Sequence, residues 1–133
     1  MSGFLYLATP YSKYPDGIEA AYKLACREAG RFIALGIPVL SPIAHSHPIA
    51  MAAGLDPLDH GIWLQADEPL MAAACGLIVC KATGWNESVG IRAEIEAFNQ
   101  VHKPEFFYDP EHYLTDALIE LLRRNTKLRS AAV

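Results

Sequence analysis

Short apolar runs alternate along this chain with longer stretches in which apolar residues recur at helical spacing. Phe4-Leu5-Tyr6-Leu7-Ala8 predicts a first strand. Ile18 to Leu35 predicts a helix, with Ala21, Leu24, Ala25, Ala29, Phe32 and Ile33 on its stripe and Gly36 as the stop. Ile37-Pro38-Val39-Leu40 predicts a second strand. Ser41 to Asp59, broken by Pro42, Pro48, Gly54 and Pro57, reads as a long irregular loop, and such loops in a compact domain usually serve a site. His60 to Ala74 returns to helical spacing through Ile62, Trp63, Ala66 and Leu70, with Pro69 set to kink or divide it. Gly76-Leu77-Ile78-Val79-Cys80 predicts a buried central strand, followed by a turn and a helix to about Val101. Pro104 to Tyr108 predicts a fourth strand, and Asp109-Pro110 opens a last helix with Tyr113, Leu114, Ala117, Leu118, Leu121 and Leu122 as its stripe.

Strands that alternate with helices imply a parallel sheet joined by right-handed crossovers. The expected fold is a single-domain α/β flavodoxin-like (Rossmann-like) three-layer sandwich with a four- to five-stranded parallel sheet, spanning 1–133 with an end that frays from about residue 125. The loops after the first and third strands then meet at the switch point of the sheet, where folds of this kind place ligands. That brings Tyr6, Thr9 and Ser12 towards Ser88 and Glu94.

The 133 residues suffice for one core. With 52% hydrophobic and 20% charged residues the chain falls in the compact soluble class. A net charge of −4 gives no reason to expect a nucleic acid polymer as partner. No apolar run is long enough to span a bilayer, so no membrane partner is expected. Cys26, Cys75 and Cys80 are odd in number and form no Cys-x-x-Cys, which indicates neither a disulfide framework nor a zinc knuckle. With no signal peptide in view, a cytoplasmic, reduced setting is the expectation.

The chemistry concentrates in the helix after the central strand. On a helical wheel Glu94 falls in the apolar arc with Ile91, Ile95 and Phe98, while Arg92, Glu96, Asn99 and Gln100 fall opposite. A carboxylate on the core face is costly unless it is paired or serves a site. Thr9, Tyr11 and Ser12 follow the first strand, in a loop that can turn hydroxyls to a ligand but is not a Gly-rich phosphate loop. Asp67 is either surface charge or a second carboxylate in the cleft. His45-Ser46-His47 with Asp56, Asp59 and His60 raises a metal site, but no three ligands stand at fixed spacing and none is assigned.

Leu5-Tyr6-Leu7-Ala8-Thr9-Pro10, Trp63-Leu64-x-x-Asp67 and Gly84-Trp85-x-x-Ser88-x-Gly90-x-x-x-Glu94 resemble the nucleoside 2-deoxyribosyltransferase superfamily. The resemblance is closest to its uncharacterised bacterial branch called domain of unknown function 1937, which has stretches similar to His45 to Pro48 and Asp56 to His60. It covers about Phe4 to about Pro110. It implies that Glu94 is a nucleophile that takes the sugar from a nucleoside or nucleoside monophosphate as a covalent ester, with base exchange or hydrolysis to follow. It also implies that Ser88 holds the sugar's 5′ end or its phosphate, that Tyr6 lies against the nucleophile, and that a neighbouring subunit of a homo-oligomer, dimer or higher, completes the pocket. No cofactor is needed. One departure stands out: the aspartate that protonates the leaving base in many members is Cys75 here, and a thiol is a poor acid for that task. Asp67 is a catalytic candidate for the role, with a carboxylate or histidine of the long loop as the alternative.

The candidate site is thus Glu94 and Asp67 as catalytic residues, with Tyr6, Thr9, Tyr11, Ser12, His45, Gly84, Trp85, Ser88 and Gly90 binding the substrate. The alternative, which Cys75 favours, is a non-catalytic nucleotide-binding module on the same fold. A metal-dependent hydrolase using His45, His47 and His60 is the third reading. The base, the sugar, a 5′ phosphate and the choice between transfer and hydrolysis stay open.

Overall fold

A computed structural model describes residues 3–131, with side chains to residue 127. Four strands form one parallel sheet: β1 (Leu5–Ala8), β2 (Val39–Leu40), β3 (Gly76–Cys80) and β4 (Glu105–Tyr108), in the order β2-β1-β3-β4. β1 and β3 are buried throughout, as expected of central parallel strands with both faces covered. They pair with Leu5 opposite Gly76 and Ala8 opposite Val79, and β4 continues with Leu77 opposite Glu105. A side chain at Gly76 would meet the Pro104 carbonyl oxygen at 2.8 Å, so the strand enters the sheet where only glycine fits.

The helices are α1 (Ile18–Ala34), α2 (Pro42–Ala53), α3 (His60–Ala73), α4 (Val89–Gln100) and α5 (Asp116–Ala131). Strand alternation splits the core into two layers. Leu5, Leu7, Ile78 and Cys80 pack with Leu24 and Phe32 of α1 and Leu122 of α5. Tyr6, Ala8, Leu77 and Val79 pack with Met71 of α3 and Ile91 and Phe98 of α4. This is the flavodoxin-like three-layer sandwich that the sequence predicts, with four strands. The order of strands changes direction between β1 and β3, so the loops leaving those two strands do adjoin.

Several expectations are corrected. The stretch after Ser41 is α2 and not an irregular loop: Ser41 accepts from the Ala44 N–H at 3.1 Å, Pro42 sits at the first helical turn where its missing N–H costs nothing, and Gly54 closes the helix in a left-handed conformation. Pro48 is carried inside α2, and Pro69 inside an undivided α3. The last helix begins at Asp116 and not at Asp109-Pro110. Asp109 instead holds a turn by accepting from the Glu111 N–H at 2.8 Å, which leaves Tyr113 fully in solvent. Thr126 is buried, with its carbonyl accepting from the Gly3 N–H at 2.9 Å. Val101, on the predicted stripe, lies past the end of α4 and is exposed.

Candidate active site

β1 alternates, so Tyr6 faces the α3–α4 layer while Leu5 and Leu7 face the other. The tyrosine is wholly buried, its ring tilted against Phe98 with centroids 5.7 Å apart. Its hydroxyl is flanked by the carboxyl groups of Asp67 on α3 and Glu94 on α4, near enough to interact with both but closing no hydrogen bond of standard geometry. Burial first, then those two charges, push the Tyr6 phenol far above its ordinary range, so it stays a hydroxyl.

Glu94 lies in the second turn of α4, on the face towards the protein, as the wheel predicts. The start of that helix is fixed by Ser88, whose side chain accepts from the Ile91 N–H at 3.2 Å. Burial, with Asp67 adding repulsion and the Tyr6 hydroxyl opposing, raises Glu94 to about 8. Asp67 is raised too, by burial, with His45 and the Tyr6 hydroxyl opposing. Two carboxyl groups that share one desolvated neighbourhood cannot both be charged cheaply, and at neutral pH the pair retains a proton, held mainly by Glu94.

Both carboxyl groups open on a cleft of about 200 Å³. It is lined by Tyr6 and Met71, by Tyr11, Pro42 and Ser46 from the β1–α1 loop and α2, and by Asp67, Gly90, Ala93 and Glu94 from α3 and α4. Trp63, Leu64 and Val89 give it an apolar rim. Among the described residues lining the cleft there is neither Lys nor Arg.

Of the sequence-predicted site residues, the structure gathers Tyr6, Tyr11, Asp67, Gly90 and Glu94 around this one cleft. Thr9, Ser12, His45, Gly84, Trp85 and Ser88 are not in its lining. Thr9 is buried at the end of β1 with its hydroxyl unpartnered, and Ser12 is exposed. Gly84 and Trp85 line a separate hollow beside Lys81 and Asp109. Gly84 is needed there for packing, since a side chain would meet the Lys13 carbonyl oxygen at 2.5 Å and its φ is 90°. Ser88 is buried, and its oxygen is engaged as the helix cap.

The expected site did not include His60 and Trp63 of the lining, although the first belonged to the metal reading and the second to the resemblance, nor did it include His47. His47 is 3% exposed on α2, bonded to Tyr11 and Glu19. Glu19 lies 28 positions away in sequence, a separation that no local pattern reports. Among the described residues no group of three or more His, Cys, Asp or Glu is placed to hold a metal ion. Cys75 turns away from the cleft and packs with Leu5, Leu7 and Ile78 on the opposite face of the sheet. No helix among the described residues is long and apolar enough to cross a membrane.

A family described as Domain of unknown function (DUF1937) matches residues 3–110. No curated protein matches the chain.

Proposed function

The chain belongs to the DUF1937 family, and we propose that it is an N-glycosidic-bond enzyme that acts on a nucleoside through a covalent ester on Glu94. The observation that carries this reading is a buried Tyr6 hydroxyl with no hydrogen bond of standard geometry, set beside the carboxyl groups of Asp67 and Glu94 at an apolar cleft. An arrangement so costly to folding points to a ligand. A link to the nucleoside 2-deoxyribosyltransferase superfamily is part of the proposal, supported by Ser88-x-Gly90-x-x-x-Glu94 at the start of the helix that follows the central strand.

In the reacting form Glu94 has given up its proton. Its oxygen attacks the anomeric carbon, the bond from sugar to base breaks, and water or a second base later takes the sugar and frees the carboxylate. The positive charge that develops on the sugar ring is stabilised by Asp67 and by Glu94 itself before the bond closes. Tyr6 orients the Glu94 oxygens from the base of the cleft. The lining, without Lys or Arg, favours an unphosphorylated nucleoside over a monophosphate.

A homo-oligomer belongs to the proposal. Leu64 and Val89, about half exposed at 48% and 51%, rim the cleft with Leu58 and Ile62 beside them, an apolar edge that a second copy would cover. Light scattering on the purified chain reports its mass directly. A cytoplasmic setting fits the free thiols, with Cys26 exposed.

Incubation with a panel of nucleosides and their monophosphates, followed by mass spectrometry of the intact chain and chromatography of released base, tests the chemistry. A sugar-sized adduct absent from Glu94→Ala, with free base appearing, is the expected result. A second reading, a non-catalytic nucleotide-binding module, is favoured by the proton that Glu94 retains at neutral pH. It requires ligand-induced thermal stabilisation with neither adduct nor base, kept in Glu94→Gln.

A further inference from the structure

The wall of the cleft made by the β1–α1 loop and α2 holds polar side chains that the ester chemistry leaves unused. The Tyr11 hydroxyl lies 2.5 Å from Nδ1 of His47, and Nε2 of the same ring lies 2.9 Å from Oε2 of Glu19. Tyr22 stacks on the imidazole with centroids 4.5 Å apart and planes 20° from parallel. Both ring nitrogens have one partner each and the ring plane is clamped, so the imidazole is held in register between a phenol and a carboxylate. Tyr11 opens on the cleft, His47 is buried, and the Glu19 side chain is 65% exposed. The three therefore form a continuous path from the cleft to solvent.

We infer that Tyr11 gives the departing base its proton, and that His47 and Glu19 recharge Tyr11 from solvent. The inference rests on the glycosyl reading above and supplies an acid at the cleft, where Cys75, on the other face of the sheet, does not reach; burial and Glu19 raise the Tyr11 phenol, so it gives up its proton only as His47 replaces it. Asp67 is the less suitable donor. It stands with Glu94 about the same Tyr6 hydroxyl, whereas displacement at the anomeric carbon sends the base away from the side that the nucleophile attacks. Tyr11 reaches the cleft from the β1–α1 loop and is not among the groups gathered at that hydroxyl.

The protons balance over the cycle. As the Glu94 oxygen bonds to the anomeric carbon and the bond from carbon to base nitrogen breaks, that nitrogen takes the Tyr11 proton. Tyr11 takes one from Nδ1 of His47, and Nε2 of the ring takes one from solvent by way of Glu19. When water attacks the ester, its proton leaves by the same path, through Tyr11, His47 and Glu19 to solvent, as Glu94 is released. Tyr11 acts on the substrate directly, and His47 and Glu19 act through it.

Tyr11→Phe and His47→Gln test this with two substrates: an ordinary purine nucleoside, and its N7-methylated counterpart, whose base leaves without needing a proton. Tyr11→Phe is expected to slow base release from the first by about 100-fold, the usual worth of a general acid, and from the second by less than about 3-fold. His47→Gln is expected to follow it. The ratio of the two rates, taken on one sample, does not depend on how much of a variant is folded. Equal losses on both substrates would make the cluster merely structural and overturn the inference while the glycosyl reading stands. Wild-type protein that releases no base from either nucleoside overturns both.

Discussion

Each face of the sheet carries a buried tyrosine directed at a helical glutamate, and the two pairs are finished differently. On the α1–α5 face Tyr108 donates to Glu28 at 2.8 Å, and Arg31 reaches the same carboxylate at 3.1 Å. Glu28 is 3% exposed and fully engaged. On the α3–α4 face Tyr6 sits between Glu94 and Asp67 and closes a hydrogen bond with neither. The first pair meets the rule that a buried polar group is partnered, and the second breaks it. Breaking it costs stability, and an open cleft lies where the partners are missing. The contrast separates a carboxylate that holds the fold from one that awaits a ligand, although both stand on helices packed against the sheet.

Exchanging the two glutamates gives the widest separation. Glu94→Gln is expected to lower base release by at least about 10⁴-fold, as removal of a nucleophile does, while the fold is retained. Glu28→Leu is expected to leave the rate per folded molecule near wild type and to cost roughly 1–3 kcal/mol, because the Tyr108 hydroxyl is left buried without a partner. Rates normalised to folded protein, together with urea unfolding of both variants, make the comparison. Glu28→Leu that abolishes turnover in folded protein would erase the distinction between the two faces.

The tyrosines repeat the contrast at smaller scale. Tyr108→Phe leaves Glu28 one donor short and is expected to lower stability by about 1 kcal/mol with turnover unchanged. Tyr6→Phe removes a hydroxyl that no hydrogen bond of standard geometry holds, so its stability stays within about 0.5 kcal/mol of wild type. Its turnover is expected to fall roughly 10-fold or more, through loss of the group that orients Glu94. Parallel melting curves and initial rates for the two variants decide whether Tyr6 serves packing or chemistry.

The difference between the faces was half visible in the sequence. The period of α4 sets Glu94 among Ile91 and Phe98, which identifies a carboxylate on the core side. The short apolar runs give the strands, and the alternation of strands and helices gives the order of the sheet. What stayed hidden depends on contacts between distant segments. Glu28 lies on the stripe of α1 as surely as Glu94 lies on that of α4, and only the meeting with Tyr108, 80 positions away, shows it to be satisfied. The wall bearing His47 was obscured for a local reason: Pro42 and Pro48 read as breaks, whereas the Ser41 cap and the first-turn position of Pro42 allow a helix. With α2 taken for a loop, the meeting of His47 with Tyr11 and Glu19 had no frame on which to appear.

The gentlest test of the comparison needs no substrate. Glu94 is raised from the ordinary 4.5 to about 8, so between those values the folded chain holds a proton that the unfolded chain has released. Stability from this group is fully present below about 4.5 and is lost as pH rises through about 8. The raised Asp67 acts in the same direction. Glu94→Gln keeps the shape and has no proton to lose, so the variant is expected to overtake wild type in melting temperature as pH rises from 5 to 8, by about 3 °C or more, what roughly 1 kcal/mol gives in a chain of this size. Above about 8 the gap levels off. A gap that is flat from pH 5 to 9 would mean that Glu94 is already charged and compensated in the empty cleft, as a structural carboxylate is. The same proton governs turnover with the opposite consequence: ester formation needs the ionised carboxylate, so its rate climbs as pH passes about 8 while the stability of the fold declines. Finding both trends around one midpoint would tie the cost of the open face to its chemistry.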